Sequence, residues 1–579
     1  MALRLNPPAV CTCGRLPLFK LRIGAQRRDA VYRPLRFSVS RGFLGREAME
    51  KQMDRKATPS DEFSRRRFLQ ETGVGLSLML GGMKVFALSG SAHTEVESAA
   101  TPAGSDSVIK VHPANPHYYL FRGRPTILIT SAEHYGAVIN MDFDYVRYLD
   151  ALAAYGLNYT RIWPGGCLEM VGEFYPGNTA GPRPSRTIVP WARSSVPGFV
   201  YGGNKYDLDK WNPEFFARLK DFVAKAGERG IVVEVNFFNS QYSHRWPLHP
   251  MYYENNIQGV GKCNFKDVQT LKYPDLVRRQ SEYVGKVTEE VNAYDNVILE
   301  VCDEPSNFTP HAEAGPWVGH LLQVVHDTEA ALPTKHLVAQ MVEGPIGGPI
   351  DFSGSPLLSI ITGQYVWGGE QDSEQMGGMK GLDYEYGYNK PIEMNETPYY
   401  PFQYQQGDPV LDSRVEAWEF IVGGGAGFNH LNSRYTVEDP AGNTPDNAQI
   451  LSALRNLKEF IYSFDFIKMR ADKSFVVSGV PEGVYCRCIS EPGEQYALYL
   501  HHSRLIPAPN MMYYVATPGH YSGEALVLDI PGGTYKAEWV APASGSVLSS
   551  ATFVHQGGNH ELSTPEYELD IALRVRRVR

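Results

Sequence analysis

The chain has 579 residues, which is too long for one ordinary domain, so we expect two or three folded units and a leader. Its apolar fraction of 43% and its aromatic fraction of 12% are sufficient for large buried cores. The formal net charge of −9 argues against a nucleic-acid-binding surface, because such a surface would need a basic stripe. We therefore expect no nucleic-acid partner.

The first part of the chain, residues 1–107, has the pattern of an export leader followed by a linker. Residues 64–70 read Ser-Arg-Arg-Arg-Phe-Leu-Gln, and a weakly apolar stretch and small residues follow as far as Ala92. This order is typical of a twin-arginine signal with a cleavage point, although a basic disordered tail is an alternative. We expect translation to start at Met49 or Met53 and the protein to be periplasmic or extracellular. Elsewhere no stretch of about 18 apolar residues occurs, so we expect no membrane span after signal removal.

Strand and helix patterns alternate between residues 108 and 466. Eight strands separated by helices predict an α/β fold, a (β/α)8 TIM barrel with long loops. An open doubly wound sheet is the competing architecture, but no strand is followed by a G-x-G-x-x-G turn. The predicted strands are Thr126–Thr130, Asn158–Trp163, Ile231–Phe238, Asn296–Glu304, His336–Val342, Leu357–Tyr365, Pro391–Glu396 and Ala426–Leu431. The predicted helices are Asp142–Tyr155, Pro213–Gly230, Tyr273–Tyr294, Trp317–Ala331, Arg414–Val422 and Pro445–Phe464.

The pattern changes after Phe466. Short stretches of alternating apolar and polar residues, such as Tyr496–Leu500 and Tyr535–Val540, are separated by Pro-Gly, Gly-Gly and Asn-rich breaks. This pattern predicts that residues 467–579 form a small antiparallel β-sandwich.

Two carboxylates lie at the ends of predicted strands. Glu304 ends the fourth strand and Glu396 ends the seventh. Because the carboxyl ends of barrel strands meet on one face, the two side chains could act together on one glycosidic bond. The alternative is that each is a solvated carboxylate at the start of a loop.

The motifs around these residues resemble those of clan A glycoside hydrolases. Asp303-Glu304-Pro305 is similar to the Asn-Glu-Pro that carries the acid/base after strand four, and Lys390-Pro391 precedes Glu396 as it does the nucleophile after strand seven. The chain is most similar to cellulase-like and apiosidase-like barrels with a C-terminal sandwich of the collagen-binding-like type. The resemblance implies a retaining double displacement, with Glu304 as acid/base and Glu396 as nucleophile.

The resemblance also implies supporting residues. Arg161, at the end of strand two, resembles the arginine that keeps the nucleophile ionised, and a nearby positive charge would lower a carboxylate pKa. Tyr365, at the end of strand six, resembles the tyrosine that hydrogen-bonds the nucleophile. Structural roles, as an ion pair and a buried hydroxyl, are the alternatives. Further candidates for sugar contacts are His134, which could also be a core histidine, and Asn239, Gln241 and Trp246.

The chain departs from the family pattern at several positions. Asp303 replaces the asparagine before the acid/base, and an ionised aspartate accepts hydrogen bonds but cannot donate them. Two adjacent carboxylates could also raise a pKa, which would suit an acid. In the apiosidase-like relatives an aspartate serves at about this strand end, so the resemblance leaves Asp303 as an alternative acid. Gln364 occupies a position where many relatives carry histidine, and strand eight lacks a tryptophan. Glu393 is a rival to Glu396, but strand alternation predicts that it points to the opposite face.

We therefore expect an exported, retaining glycoside hydrolase that acts on a poly- or oligosaccharide. No metal or organic cofactor is expected, and the partner would be the carbohydrate substrate. The alternative is a non-catalytic carbohydrate-binding protein on a decayed barrel. The sequence does not identify the sugar, its linkage, exo or endo action, or the oligomeric state.

Overall fold

The computed structural model describes residues 107–173, 177–344, 346–364, 377–397, 407–508 and 511–579. These residues belong to one compact unit. The predicted export signal and Tyr365 lie outside the described residues. None of the described helices is both long enough and apolar enough to cross a membrane.

A small antiparallel sheet precedes the barrel. Its tight turn is Arg122-Gly123, where both residues have positive φ, 50° and 74°. Arg122 donates to both carboxylate oxygens of Asp295, just before strand four, and to the carbonyl of Gly227. These bonds hold the small sheet against the N-terminal end of the barrel. Its strands are Lys110–Val111, Tyr119–Phe121 and Arg124–Thr126.

Eight parallel strands form the barrel wall, and the first of them is in two pieces. Leu128–Ile129 pairs with the eighth strand, whereas Glu133–His134 pairs with the second. Backbone bonds at Thr130 and Ala132 continue the two pairings, so one strand closes the sheet. The predicted (β/α)8 fold is confirmed. The other strands, in order, are Tyr159–Ile162, Val232–Asn239, Val297–Asp303, Leu337–Met341, Ile360–Gln364, Ile392–Glu396 and Gly427–Phe428.

The helices cover the outside of the barrel, and several of them have clear start and stop signals. In the helix that starts at Pro213, the Asn212 side chain caps the first turn, and Gly230, with φ of 69°, follows the end. Its buried face carries three phenylalanines, each worth roughly 1.5–3 kcal/mol when removed from water. The helices are Tyr145–Ala154, Pro213–Glu228, Pro274–Val291, His311–Ala330, Gly377–Glu385, Pro409–Val422 and Pro445–Tyr462.

Three features of the loops and helices differ from the sequence prediction. The helix expected to start at Trp317 begins six residues earlier and contains Pro316 in its interior. A short helix begins at Gly377, where a glycine pair gives no start signal. The segment expected to be one long loop after strand two contains an antiparallel hairpin, Trp191–Pro197 with Asn204–Trp211. Its glycines and prolines hide the alternation that normally identifies strands.

The C-terminal part forms the predicted antiparallel sandwich. A separate core of mostly apolar side chains, including Leu498, Leu528, Trp539 and Leu573, lies between its sheets. The larger sheet contains Arg470–Ala471, Val484–Glu491, Gln495–Ala508, Met511–Ala516, Gly533–Val540, Val547–His555 and Asp570–Arg577. The smaller sheet contains Val476–Ser478, Ala525–Ile530 and Gly558–Ser563.

The sandwich packs on the barrel helix Pro409–Val422. Arg414 donates to both oxygens of the buried Asp570 at 3.0 and 2.9 Å, and Trp418 stacks on Tyr499 at a centroid distance of 5.5 Å. Every residue of this helix from 412 onward is buried. The helix lies between strands seven and eight, so the sandwich supports the part of the barrel that follows Glu396.

Candidate active site

Arg161 is the centre of a buried polar cluster at the carboxyl ends of the strands. Its side chain is fully buried, and its guanidinium nitrogens lie 2.7–3.2 Å from carboxylate oxygens of five residues on four strands. These five residues are Glu133, Glu234, Glu300, Asp303 and Glu396. One cation therefore faces up to five negative charges in a space without bulk water.

This imbalance requires the cluster to retain protons. Burial raises the pKa of Glu133 to about 8, and it raises the pKa of Glu300 well above its usual range. Burial also raises the pKa of Glu234, and the charge of Glu393 adds to the effect. Burial alone would lower the pKa of Arg161, but the surrounding carboxylates outweigh burial and raise that pKa well above the ordinary value. Arg161 is thus a permanent cation among carboxyl groups that are partly protonated.

Glu396 is buried at the end of strand seven. Its Oε2 atom accepts hydrogen bonds from Arg161 Nη1 at 3.2 Å and from Gln364 Nε2 at 3.1 Å. The expected contact with Arg161 is therefore present, and that contact lowers the pKa of Glu396. However, burial and the charges of Glu133, Asp303 and Glu304 outweigh it and raise that pKa above its usual range. Arg161 contacts Glu396 as expected but is shared with four other carboxyl groups, so its role in keeping Glu396 ionised stays a prediction.

Glu393 also faces the barrel interior, so the alternation argument against it was wrong. The pairing of strands six and seven shifts register between Gly363 and Gln364, which adds one residue to strand seven. Glu393 accepts hydrogen bonds from the hydroxyls of Tyr119 and Tyr159. Since Tyr119 belongs to the small sheet before the barrel, Glu393 lies deeper in the barrel than Glu396 does.

Asp303 is saturated with hydrogen-bond donors. Its Oδ1 atom accepts from Arg161 Nη2 at 3.1 Å and from Gln364 Nε2, and its Oδ2 atom accepts from Asn239 Nδ2 at 2.6 Å. These three donors hold both oxygens of Asp303 in place, so its side chain is tied to strands two, three and six.

Glu304 occupies a turn directly after strand four. Its φ of 45° is in the left-handed region, which a residue with a side chain rarely adopts outside strained functional sites. Its Oε2 atom accepts from Asn307 Nδ2 at 3.0 Å, and the side chain is only partly buried. Burial, followed by the charges of Asp303 and Glu343, raises the pKa of Glu304 to about 8. Such a pKa favours the protonated form of Glu304 near neutral pH. When ionised, Glu304 raises the pKa of Glu396, so the two carboxyl groups influence each other.

Aromatic rings surround the two carboxyl groups. Tyr135 stacks on Trp163 with centroids 3.9 Å apart and planes at 10°, and Trp163 lies against the Arg161 guanidinium at 4.8 Å. On another side, Tyr242 packs edge-on against Phe308 at 4.9 Å. Tyr135, Tyr242 and Phe308 are partly exposed, and flat exposed rings are suited to stacking on sugars. The sequence analysis did not single out any of these four aromatic residues.

Arg245 fixes the loops beside Asp303. It donates to Glu169 at 2.9 Å and to Glu173 at 2.5 Å, and a third bond of 3.3 Å reaches the Asn239 side chain. Although burial opposes the effect, Arg245 and His244 hold the pKa of Glu173 at about 2. Asn239 thus links Arg245 to Asp303. Its bond to Asp303 positions that carboxyl group, and the sugar contact expected of Asn239 stays a prediction.

The remaining sequence candidates are integrated in the surrounding framework. His134 Nδ1 accepts from the Gly136 N–H at 3.1 Å, its Nε2 bonds the Tyr435 carbonyl at 3.2 Å, and burial lowers its pKa to about 3. Gln241 donates to the carbonyls of Gly166 and Asn239 at 3.1 and 3.0 Å. Trp246 is 2% exposed and donates to the Cys263 carbonyl. These contacts favour structural roles for His134, Gln241 and Trp246.

The sequence analysis missed Glu133, Glu234, Glu300 and Glu343. A signal was available for two of them, because Glu234 and Glu300 interrupt otherwise apolar strands and a buried charge requires a partner. The described residues contain no group of three or more His, Cys, Asp or Glu side chains arranged to hold a metal ion. The absence of a cofactor remains a prediction.

Comparisons with known proteins give a fold but no family. No protein-family model matches the chain, and no curated protein matches it. A solved structure described as a glycoside hydrolase superposes with a TM-score of 0.53 at 13% identity, covering 82% of this chain and 97% of that one. A glycoside hydrolase family 5 structure from Bacteroides vulgatus ATCC 8482 has a TM-score of 0.54 at 13% identity and covers 82% and 94%. The superposed 82% of this chain includes more residues than the barrel contains. The chain therefore shares the combined barrel and sandwich fold of these solved glycoside hydrolases.

Proposed function

We propose that the protein is an exported glycoside hydrolase that cleaves O-glycosidic bonds of a poly- or oligosaccharide by a retaining double displacement. The observation that carries the proposal is the contrast between Glu304 and Glu396. Glu304 lies on a strained, partly exposed turn, and its raised pKa favours the protonated form near neutral pH. Glu396 is buried and its Oε2 atom accepts from two donors. A partly exposed carboxyl group with a raised pKa suits the acid role, and a buried carboxyl group whose oxygen faces two donors suits the nucleophile role.

In the first step, Glu304 donates its proton to the leaving oxygen while a Glu396 oxygen bonds to the anomeric carbon. The bond to the leaving group breaks, and a glycosyl ester on Glu396 remains. In the second step, the Glu304 carboxylate takes a proton from water, the water oxygen bonds to the anomeric carbon, and the ester breaks. Each residue returns to its starting state.

The surrounding residues maintain this division of charge. Arg161 and Gln364 donate to Glu396 and stabilise its ionised form, while neighbours such as Glu133 hold the cluster's protons. When ionised, Asp303 raises the pKa of Glu304, which favours the protonated acid. The partly exposed rings of Tyr135 and Tyr242 would stack on the sugar.

Glu396→Gln provides the direct test. We expect loss of turnover by at least about 1,000-fold, roughly 4 kcal/mol of transition-state stabilisation, with the fold retained, because the amide cannot form the ester. Wild type would be screened on a glycan panel, and the anomer released first would be identified by NMR. Glu228→Gln is the matched control, because its side chain is 71% exposed on a surface helix. Initial release of the inverted anomer would contradict the retaining mechanism. Glycan binding by wild type without turnover would favour the non-catalytic alternative.

A further inference from the structure

Glu343 is a nearly buried carboxylate beside the turn that carries Glu304. It lies two residues after strand five, Leu337–Met341, and is 8% exposed. Its Oε2 atom accepts the backbone N–H of Ser306 at 2.6 Å. A short bond from a backbone amide stabilises the ionised form of a carboxylate. Glu343 is therefore a second anion placed beside the proposed acid.

The end of strand five and the residues after it hold the Glu304 turn at two points. The backbone N–H of Glu304 points to the Met341 sulfur at 3.4 Å, and the N–H of Ser306 donates to Glu343. Glu304 itself has φ of 45°, a conformation that persists only where its surroundings fix it. Glu343 is thus one of two residues from this segment that hold the backbone of the turn that carries Glu304.

We propose that Glu343 is a positioning residue for the proposed glycosidase reaction: it fixes the turn that carries Glu304 and keeps a negative charge next to that side chain. This inference rests on the proposed function. Glu343 would act through Glu304 and the backbone of its turn, and not on the substrate itself.

The other groups that face Glu304 do not supply both effects. Asp303 is adjacent in the chain, but its oxygens are held by donors on three other strands. Glu396 is a carboxyl group whose own pKa is raised above its usual range. Arg245 acts in the opposite direction and lowers the pKa of Glu304. Tyr242 contributes a neutral hydroxyl, because burial raises its own pKa well above the ordinary value. Among these groups, Glu343 alone combines a negative charge with a bond to the turn.

The test compares the pH dependence of kcat/KM for wild type, Glu343→Gln and Glu343→Asp. The alkaline limb reports the pKa of the general acid. Removing a neighbouring negative charge in Glu343→Gln should move that limb down by about one pH unit. Glu343→Asp keeps the charge and should retain the wild-type limb even if kcat falls. Glu282→Gln, a charge removal on an outer helix, is the control and should leave the profile unchanged.

A second measurement is independent of turnover. Carbodiimides react with protonated carboxyl groups, so the pH dependence of Glu304 labelling, read by peptide mass spectrometry, reports its protonation directly. We expect the labelling midpoint to fall in Glu343→Gln and to stay in Glu343→Asp. Unchanged midpoints in Glu343→Gln, or equal shifts in both variants, would overturn the proposal. If wild type has no glycosidase activity but the midpoint shifts as expected, the proposed function fails and the coupling of Glu343 to Glu304 stands.

Discussion

Replacing Glu393 by glutamine should change how the stability of the protein depends on pH. Glu393 is fully buried in the barrel interior, where two tyrosine hydroxyls donate to it. Burial raises its pKa from the ordinary 4.5 to about 7. Between these two values the folded protein binds a proton that the unfolded chain has already released. The contribution of Glu393 is therefore fully present below pH 4.5 and is lost as the pH rises to about 7.

The shift sets the size of the effect. Each pH unit corresponds to about 1.4 kcal/mol, so a shift from 4.5 to about 7 makes the folded state less stable by about 3 kcal/mol at pH 8 than at pH 4. Glutamine resembles the protonated side chain in shape and does not titrate. Glu393→Gln should therefore gain up to about 3 kcal/mol relative to wild type over this interval.

The assay is urea-induced unfolding of both proteins at several pH values from 4 to 8. The quantity of interest is the difference in unfolding free energy between variant and wild type, because other carboxyl groups titrate in both. Glu459→Gln, whose side chain is 70% exposed, is the control and should show no pH-dependent difference. A constant difference between Glu393→Gln and wild type across the range would refute the reasoning. Turnover should persist, since Glu393 lies deeper than the proposed catalytic pair.

Two other substitutions test the cluster and the domain contact. Glu133→Gln should keep kcat at pH 6 within about tenfold of wild type, which corresponds to about 1.4 kcal/mol in activation free energy. The reason is that a carboxyl group with a pKa of about 8 is already neutral at pH 6. A larger loss would mean that Glu133 acts as an anion. Arg414→Met should lower the free energy of unfolding in urea by about 3–5 kcal/mol. Asp570 accepts two hydrogen bonds from Arg414 and one from the Tyr499 hydroxyl, and the substitution removes the first two while Asp570 stays buried. The pair Arg414→Met with Asp570→Leu should recover much of that loss, and equal instability of single and double variants would contradict this account.

The fold could be predicted because its signals are local. Each barrel strand is a short apolar segment next to a helix with its own caps, such as Asn212 before and Gly230 after one helix. Alternation of such units permits few topologies. The sequence analysis missed the hairpin inside the loop after strand two. Its two strands pair with an irregular register, in which Trp191 lies opposite Trp211, and this pairing depends on contacts across the loop.

The candidate site was only partly predictable. Glu304 and Glu396 could be found because strand ends converge in a barrel, and Arg161 was implied by the family resemblance. Glu343 and Glu133 could not be found this way, since their significance depends on which oxygen meets which donor across strands. Glu393 shows the limit of periodicity: one extra residue in strand seven reverses the predicted side of every residue beyond it.

The shared arginine explains why the site needs so many carboxyl groups. A carboxylate paired with its own cation would have a lowered pKa, whereas Glu396 shares Arg161 with four other carboxyl groups. In the proposed mechanism, formation of the ester would remove one negative charge from the surroundings of the buried Arg161. The neighbouring carboxylates already contact the guanidinium and can balance it without any movement of the backbone. Carboxyl groups such as Glu133, with a pKa of about 8, can lose or regain a proton as that charge changes. The cluster therefore suits a reaction in which one carboxylate alternates between an anion and a neutral ester.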